Sequence, residues 1–377
     1  MSQADAWRTH HLILKLSQSS NILPSPLFIG NISECDRFFR RSGGYGEIYR
    51  ASYQERAVAL KRLSTPITAD LDVQRRARIR FCQEALTWRR LQHKFIVPLL
   101  GIDRDTFPPY LVMVSPWMEH GTVLDYIKTN GTDCVERLLF EVAQGLAHLH
   151  SMNIVHGDLR GANILINDDL HACLTDFGLS GFSDTTETGT ASTSNRAGSL
   201  RWMAPELIDP PRFGRKHFLR TTASDAYAFA CVCIELYTGS PPFLGLCEGS
   251  VLLQVIAGHR PSRPDDLDSD ALWNRMAALW AEDPEARPSI TSIAEFMRDL
   301  CGAPKEHIEE STIDSLHIMD PFRNLDVISE AGFSTSSYAS TNSDFWRRNF
   351  PRRFFVLKCP NEVRFVRLKL NTKLISV

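Results

Sequence analysis

The feature that most constrains this chain is a polar stretch near its centre, His156-Gly157-Asp158-Leu159-Arg160-Gly161-Ala162-Asn163. Thirteen residues after its last residue comes a second short stretch, Asp176-Phe177-Gly178. Together they offer one carboxylate that can accept a proton, and an amide and a second carboxylate that can hold a divalent cation. Phosphoryl transfer requires such a set, because that reaction depends on positioning more than on covalent chemistry. A three-residue match alone would be chance in a chain of 377 residues, so the order of further motifs decides the interpretation.

Five further motifs stand in order on either side of this stretch. They are Val58-Ala59-Leu60-Lys61, Phe81-Cys82-Gln83-Glu84, Met203-Ala204-Pro205-Glu206, Ser224-Asp225-Ala226-Tyr227 and Asp283-Pro284-Glu285-Ala286-Arg287-Pro288. Their types and order resemble those of the protein kinase family. The resemblance implies an α+β fold with two lobes: a small antiparallel β-sheet lobe with one helix, and a larger, mainly α-helical lobe.

The resemblance also implies a role for each polar residue of the central stretches. Asp158 would be the catalytic base that accepts the proton of the attacking hydroxyl, and Arg160 would supply a cation near the transferring phosphate. Asn163 and Asp176 would hold magnesium.

Lysine and glutamate upstream would complete the catalytic set. Lys61 would contact the α and β phosphates of ATP, and Glu84 would be its partner. A free lysine side chain loses rotamer entropy when it is fixed, so a carboxylate that holds it in place is expected. Arg287 stands where the family pairs an arginine with the glutamate of Ala-Pro-Glu, here Glu206.

Residues on both sides of the expected cleft would bind ATP. The stretch Arg41-Ser42-Gly43-Gly44-Tyr45-Gly46-Glu47-Ile48-Tyr49 resembles the glycine-rich loop over the phosphates, where backbone N–H groups approach without a Cβ in the way. The family's first glycine falls on Arg41, which is a departure from the pattern. The expected nucleotide contacts are Gly43, Gly44, Gly46, Ile48, Ala59, Lys61, Ser115, Pro116, Met118 and Leu165.

Two further departures concern subfamily and regulation. Gly157 stands where most members have the arginine that pairs with a phosphorylated activation loop, which favours an activation segment that does not depend on a phosphate. Gly198-Ser199-Leu200-Arg201-Trp202-Met203 mixes features of tyrosine and serine/threonine kinases. This mixture looks most like the tyrosine-kinase-like group of serine/threonine kinases. Three hypotheses stay open: an active serine/threonine kinase, a pseudokinase scaffold that binds nucleotide without transfer, and a tyrosine or dual-specificity kinase.

Boundaries follow from where the motifs begin and end. We expect a leader over residues 1–36 and a kinase domain over 37–301, with a small lobe at 37–115, a hinge at 116–118 and a large lobe at 119–301. Residues 302–344 become rich in Ser and Thr and read as a disordered linker. Residues 345–377 carry nine Lys or Arg against one Glu. This basic tail is interpreted either as a contact for an anionic membrane or acidic partner, as a short strand pair, or as a segment without function.

Composition excludes several other classes. A net charge of -2 gives no basic field, so we expect no nucleic acid partner, only ATP and a protein substrate. Nine cysteines without a Cys-x-x-Cys pair indicate reduced thiols in a cytoplasmic or nuclear setting. No apolar run reaches the eighteen residues of a membrane span, so a transmembrane segment is not expected.

Overall fold

The computed structural model describes residues 14, 15, 17, 23–43, 46–62, 70–176, 181–182, 200–302, 354–359 and 362–367. Two compact units divide the chain at residue 310. The predictions made for Gly44, for Phe177 and Gly178, for Ser199 and for a linker up to residue 344 fall outside the described residues, apart from the turn that ends at residue 302.

A five-stranded antiparallel sheet forms the small lobe. Its strands are β1 (Arg41–Gly43), β2 (Gly46–Tyr53), β3 (Arg56–Arg62), β4 (Gly101–Asp103) and β5 (Val112–Pro116). The strand order is β1-β2-β3-β5-β4. Side chains alternate between the two faces of a strand, so Val58 and Leu60 enter the hydrophobic core while Ala59 and Lys61 share the opposite face. Lys61 therefore lies on the face of the sheet that is turned away from this hydrophobic core.

The single long helix of the small lobe, α1 (Leu71–Arg89), carries Glu84. Its second half buries an apolar face that includes Phe81 and Leu86. The helix begins ten residues before the motif Phe81-Cys82-Gln83-Glu84, and its first turns are charged and exposed, so they give no periodic signal. The indole N–H of Trp88 donates to the carbonyl of Val97 at 2.6 Å, which ties the end of the helix to the segment before β4.

Part of the leader packs on this sheet. Leu23 and Leu27 are 5% and 1% exposed. Phe28 forms an isolated parallel bridge with Ile102. Apolar burial of this kind stabilises a segment that has little secondary structure of its own.

Helices make up most of the large lobe. They are α2 (Val123–Asn130), α3 (Val135–Ser151), α4 (Pro205–Ile208), α5 (Thr222–Thr238), α6 (Glu248–Ile256), α7 (Asp270–Ala278) and α8 (Ile290–Leu300). Every residue of α5 from Ser224 to Tyr237 is buried. A helix that is buried all round lies at the centre of a domain, and α5 is therefore the helix around which the others pack.

Two short antiparallel strand pairs lie between α3 and α5. Strand β6 (Ile154–Val155) pairs with β9 (Gly181–Phe182), and β7 (Ile164–Ile166) pairs with β8 (Ala172–Leu174). The polar stretch around Asp158 joins β6 to β7. The described residues therefore have the two-lobed α+β architecture that the motifs implied, and this prediction is confirmed.

The second unit contains one hairpin among its described residues. Strand β10 (Phe354–Cys359) pairs antiparallel with β11 (Glu362–Arg367). A short strand pair was one of the interpretations of the basic tail. Across the described part of the chain, none of the helices combines the length and the apolar character needed to cross a membrane.

Candidate active site

The geometric centre of the site is Lys61, whose ammonium group contacts two carboxylates from distant stretches. Its Nζ lies 2.6 Å from Oε1 of Glu84 and 2.6 Å from Oδ1 of Asp176. Strand β3, helix α1 and the segment after β8 supply these three residues. The sequence predicted the pair with Glu84, and the structure adds the direct contact with Asp176.

Burial makes these contacts strong. The side chains of Lys61 and Glu84 are 10% and 6% exposed, and that of Asp176 is 19% exposed. Burial by itself would lower the pKa of Lys61, but the carboxylates of Asp176 and Glu84 outweigh it and raise the pKa above its ordinary value. The lysine is therefore a fixed cation on the small-lobe side of the site at any physiological pH.

Asp158 and Asn163 face each other within the loop between β6 and β7. The amide nitrogen of Asn163 donates to Oδ2 of Asp158 at 2.9 Å and to its backbone carbonyl at 2.8 Å. Nε of Arg160 lies 3.7 Å from the same carboxylate. Asp158 is 4% exposed and Asn163 5%, so the amide fixes the carboxylate in one orientation.

A strand pair brings Asn163 next to Asp176. Asn163 immediately precedes β7, Asp176 follows β8 by two residues, and Ile164 pairs with Leu174 at the open end of this hairpin. The backbone N–H of Thr175 donates to the carbonyl of Asn163 at 3.0 Å, which extends the pairing by one step. The two residues predicted to hold magnesium thus flank one end of the same hairpin.

Asp225 fixes the backbone of the polar stretch from below. Its carboxylate accepts the backbone N–H groups of His156 at 2.8 Å and Gly157 at 2.9 Å, and contacts Nε2 of His150 at 3.0 Å. Gly157 has φ 79, in the left-handed region that favours glycine. The residue that replaces the family's arginine is therefore also the one that this backbone conformation favours.

Glu235 is a second buried carboxylate under the same loop. Its Oε2 accepts the backbone N–H of Gly161 at 2.7 Å and the indole N–H of Trp202 at 3.0 Å. Burial raises the pKa of Glu235 to about 7, although both hydrogen bonds and the charge of Arg160 act in the opposite direction. A Cβ on Gly161 would lie 3.0 Å from the carboxyl carbon of Glu235, so glycine permits this close approach.

The predicted nucleotide contacts come from both lobes, with Ile48 and Ala59 on small-lobe strands (the roof of the expected crevice) and Leu165 on the large lobe (its floor). Strand pairing places Ala59 opposite Ser115, which is 8% exposed, and places Ile48 opposite Lys61. Leu165 forms an isolated bridge with Thr122 on the large-lobe side. Half-buried apolar side chains from the two lobes can pack against the two sides of an aromatic ring.

The segment between the lobes begins one residue later than predicted. Pro116 was expected in the hinge, but it is the last residue of β5 and pairs with Val58. The strand continues because Trp117, the next residue, supplies the N–H that proline lacks and donates it to Ala57 at 3.0 Å. Met118 follows, and its carbonyl accepts the N–H of Gly121 at 3.1 Å.

An ion pair joins the roof, formed by β1 and β2, to the large lobe. Gly43 ends β1 and Gly46, with φ 137, begins β2. The guanidinium of Arg41 lies 2.6 Å from the carboxylate of Asp125 on α2. Sequence reasoning identified Arg41 only as a departure from the glycine pattern and gave no sign of this partner.

Glu206 and Arg287 form the other ion pair that the sequence predicted. Two nitrogens of Arg287 donate to the two oxygens of Glu206, each at 2.7 Å, and both side chains are fully buried. Such a bidentate contact fixes the guanidinium plane of the arginine relative to the carboxylate plane of the glutamate. It holds the start of α4 against the segment before α8.

Sequence reasoning missed the two buried carboxylates Asp225 and Glu235. Asp225 was named only within the motif Ser224-Asp225-Ala226-Tyr227, and Glu235 was not named among the site residues. Their contacts with the polar stretch join residues 68 to 74 positions apart in the chain. The sequence signal was an acidic residue inside an apolar run, because such a residue needs a polar or charged partner when it is buried. The sequence does not show which residue that partner is.

Comparisons with known proteins agree with this geometry. Residues 41–297 match the family model described as protein tyrosine and serine/threonine kinase. Serine/threonine-protein kinase STY46 of Arabidopsis thaliana is 30% identical over 71% of this chain and 44% of its own length. Serine/threonine/tyrosine-protein kinase HT1 of the same plant is 29% identical over 83% of this chain and 77% of its own length.

A similar relative comes from an animal. Receptor-interacting serine/threonine-protein kinase 4 of Mus musculus is 29% identical over 71% of this chain and 34% of its own length. The chain therefore spans less than half the length of two of these three relatives. The relatives are of the tyrosine-kinase-like type, as the mixed motif at residues 198–203 indicated. Since the family model covers more than half of the chain, the chain belongs to the protein tyrosine and serine/threonine kinase family.

Proposed function

We propose that this chain transfers the γ-phosphoryl group of ATP to serine or threonine hydroxyls of protein substrates. The observation that supports this most is the contact of Lys61 with both Glu84 and Asp176 at 2.6 Å. The members of this buried cluster are 23 and 115 residues from the lysine in the chain, so the fold has assembled them at one point. In such a cluster the ammonium group can contact phosphate oxygens, while Asp176 can hold the metal ion that accompanies a triphosphate.

Lys61 and Glu84 would position the nucleotide. The ammonium group would contact the α and β phosphates, while the carboxylate of Glu84 holds it in the direction of the crevice. Gly43 and Gly46 would allow backbone N–H groups to approach the phosphate oxygens, a role proposed for Gly44 as well.

Asp158 would accept the proton of the attacking hydroxyl. In the reaction the hydroxyl oxygen forms a bond to the γ-phosphorus, the bond from that phosphorus to the β–γ bridging oxygen breaks, and ADP leaves. The amide of Asn163 keeps the carboxylate of Asp158 in place, which is the contribution that positioning makes to such a loose transition state. Arg160, 3.7 Å from this carboxylate, would face the charge on the phosphoryl group.

The donor set at the end of the β7–β8 hairpin fits magnesium. The two side-chain hydrogen bonds of Asn163 to Asp158 use its amide nitrogen, so its amide oxygen takes part in neither. That oxygen and the Asp176 carboxylate are hard ligands, and magnesium is commonly held by one or two such groups together with substrate phosphates. When bound, the ion would neutralise charge on the β and γ phosphates.

Adenine would lie in the apolar crevice between the lobes. Ile48 and Ala59 would cover one face and Leu165 the other. The carbonyl of Pro116 would accept a hydrogen bond from the adenine amino group, and the amide of Met118 would donate one to the ring. Ser115, a small residue, would leave room behind the ring.

Serine and threonine are proposed as acceptors because the relatives' names state this specificity. One of those names also includes tyrosine, so the acceptor must be measured. We propose to incubate the full chain with labelled ATP, magnesium and a mixed peptide library, and to identify the labelled residue. We expect label on serine or threonine, with transfer abolished by Asp158→Asn.

The matched control is Asp168→Asn, which changes an exposed aspartate ten residues further on and should leave transfer unchanged. Binding of ATP without transfer would contradict the proposal and favour a scaffold. Label on tyrosine alone would support the third hypothesis.

Two finer proposals concern location and the second unit. We propose a cytoplasmic or nuclear location, which is supported by the free thiols of all eight cysteines with a described side chain. The basic tail would bind an anionic surface weakly. Co-sedimentation of the full chain and of a chain ending at Cys301 with vesicles of anionic lipid tests the latter, and equal sedimentation of the two would contradict it.

A further inference from the structure

We propose that Arg41 and Asp125 are positioning residues that hold the roof of the nucleotide crevice against its floor, and so strengthen ATP binding. This inference rests on the proposed function, because it assigns a role at the same crevice. The two residues are 84 positions apart in the chain and their side chains lie 2.6 Å from each other.

Arg41 belongs to the roof. It is the first residue of β1 and pairs with Ile48 of β2, a residue expected to cover adenine. The neighbouring N–H of Arg40 donates to the carbonyl of Ile48 at 2.7 Å, which fixes this end of the strand pair. A force on the Arg41 side chain is therefore transmitted directly to the two strands that carry the glycines.

Asp125 belongs to the floor. It forms a capping box with Thr122, in which each side chain accepts the backbone N–H of the other at the start of α2. Thr122 also forms a bridge with Leu165, the residue expected below adenine. Hydrogen bonds from Thr122, and more weakly the charge of Arg41, lower the pKa of Asp125, so the carboxylate is charged at neutral pH.

A second ion pair joins the same two sides nearer the hinge. Arg50 of β2 lies 2.6 Å from Glu119, which directly follows Met118. Its guanidinium also lies 5.8 Å from the ring centre of Trp117. Among the residues that the structure describes, Arg41–Asp125 and Arg50–Glu119 thus both join β1 or β2 to the segment from Met118 to α2.

The size of the effect follows from exposure. The side chains of Arg41 and Asp125 are 55% and 56% exposed, so salt screens their attraction. Exposed pairs of this kind change an equilibrium by about 1.5- to 5-fold. A contact that favours the closed crevice raises the fraction of molecules ready to bind nucleotide by up to the same factor.

The test is a double-mutant cycle of Arg41→Gln and Asp125→Asn, in which Kd for ATP is measured by direct titration. We expect each single variant to raise Kd by about 1.5- to 5-fold at low salt and the double variant to add no further loss. The cycle removes the separate effect of Asp125 on the helix cap. Arg41→Lys, which keeps the charge, should restore part of the affinity.

Arg40→Gln is the matched control, because Arg40 is an adjacent exposed arginine whose partner, Asp36, lies in the small lobe at 2.5 Å. Its Kd should equal that of the wild type. The loss in the Arg41 and Asp125 variants should be smaller in 0.5 M salt, where the Debye length is about 4 Å, and should appear in KM for ATP while kcat does not fall.

Additive losses in the double variant, an equal loss in Arg40→Gln, or a Kd that none of the changes affects would overturn the proposal. Because binding is titrated directly, these outcomes are separate from a failure of phosphoryl transfer. A wild-type chain that binds ATP and transfers nothing would refute the proposed function, but the double-mutant cycle on Kd could still be interpreted.

Discussion

Replacement of Glu235 by glutamine tests how burial controls the charge beneath the polar loop. Glu235 is 3% exposed, and its carboxylate accepts the N–H groups of Gly161 and Trp202. Glutamine has nearly the same shape, and its carbonyl oxygen can accept both donors. The variant therefore removes the titration of this group while it keeps the two hydrogen bonds.

The magnitude follows from the two pKa values. Burial raises the pKa of Glu235 from its ordinary 4.5 to about 7. The folded chain thus binds this proton about 300-fold more tightly than the unfolded chain, which corresponds to about 3 kcal/mol. Between pH 4.5 and about 7 the unfolded chain releases the proton and the folded chain keeps it, so the free energy of unfolding falls as pH rises. Above that range both states have released the proton, so this group no longer makes the free energy of unfolding depend on pH.

The assay is urea unfolding of wild type and Glu235→Gln at a series of pH values from about 4.5 to about 8. Near the lower limit the two should be equally stable, and near the upper limit the variant should be more stable by about 3 kcal/mol. Glu295→Gln, which changes an exposed residue of α8, is the control and should follow the wild type. A stability difference between Glu235→Gln and wild type that stays level across this range would refute the reasoning.

Three further predictions concern buried contacts. Arg287→Met leaves Glu206 buried without its partner, so urea unfolding at neutral pH should show a loss of about 3–5 kcal/mol. Asp225→Asn places an amide N–H₂ against backbone donors and should misplace the polar loop, which lowers kcat about 10- to 100-fold in a peptide phosphorylation assay. Gly145→Ala puts a Cβ 2.8 Å from the carbonyl oxygen of Phe95, and thermal unfolding should show a loss of about 1–3 kcal/mol.

The control for Gly145→Ala is Gly249→Ala, which adds a methyl group where nothing lies within 4 Å and should keep or slightly increase stability. For Asp225→Asn, Kd for ATP should change far less than kcat, and an equal loss in both would indicate general damage to the fold. A loss below about 1 kcal/mol in Arg287→Met would contradict the account of the buried pair.

The sequence predicted local features where a short motif carries its own physical reason. Lys61 and Glu84 were paired from motif order, and the structure brings them to 2.6 Å. Glu206 and Arg287 were paired in the same way, and two nitrogens of Arg287 donate to the two oxygens of Glu206. The first turns of α1 and the extension of β5 through Pro116 were not predicted, since their residues give no periodic signal and their position depends on neighbours.

By itself, the sequence determined the family and the two-lobed architecture, and it predicted which polar residues form the site. It did so because phosphate and metal chemistry restricts which residue types stand at which spacing. Only the tertiary structure decided how those residues are held: the carboxylates of Asp225 and Glu235 below the loop, and the closure of Arg41 on Asp125. These contacts join residues 68 to 84 positions apart, and no local pattern records which distant surfaces a fold brings together.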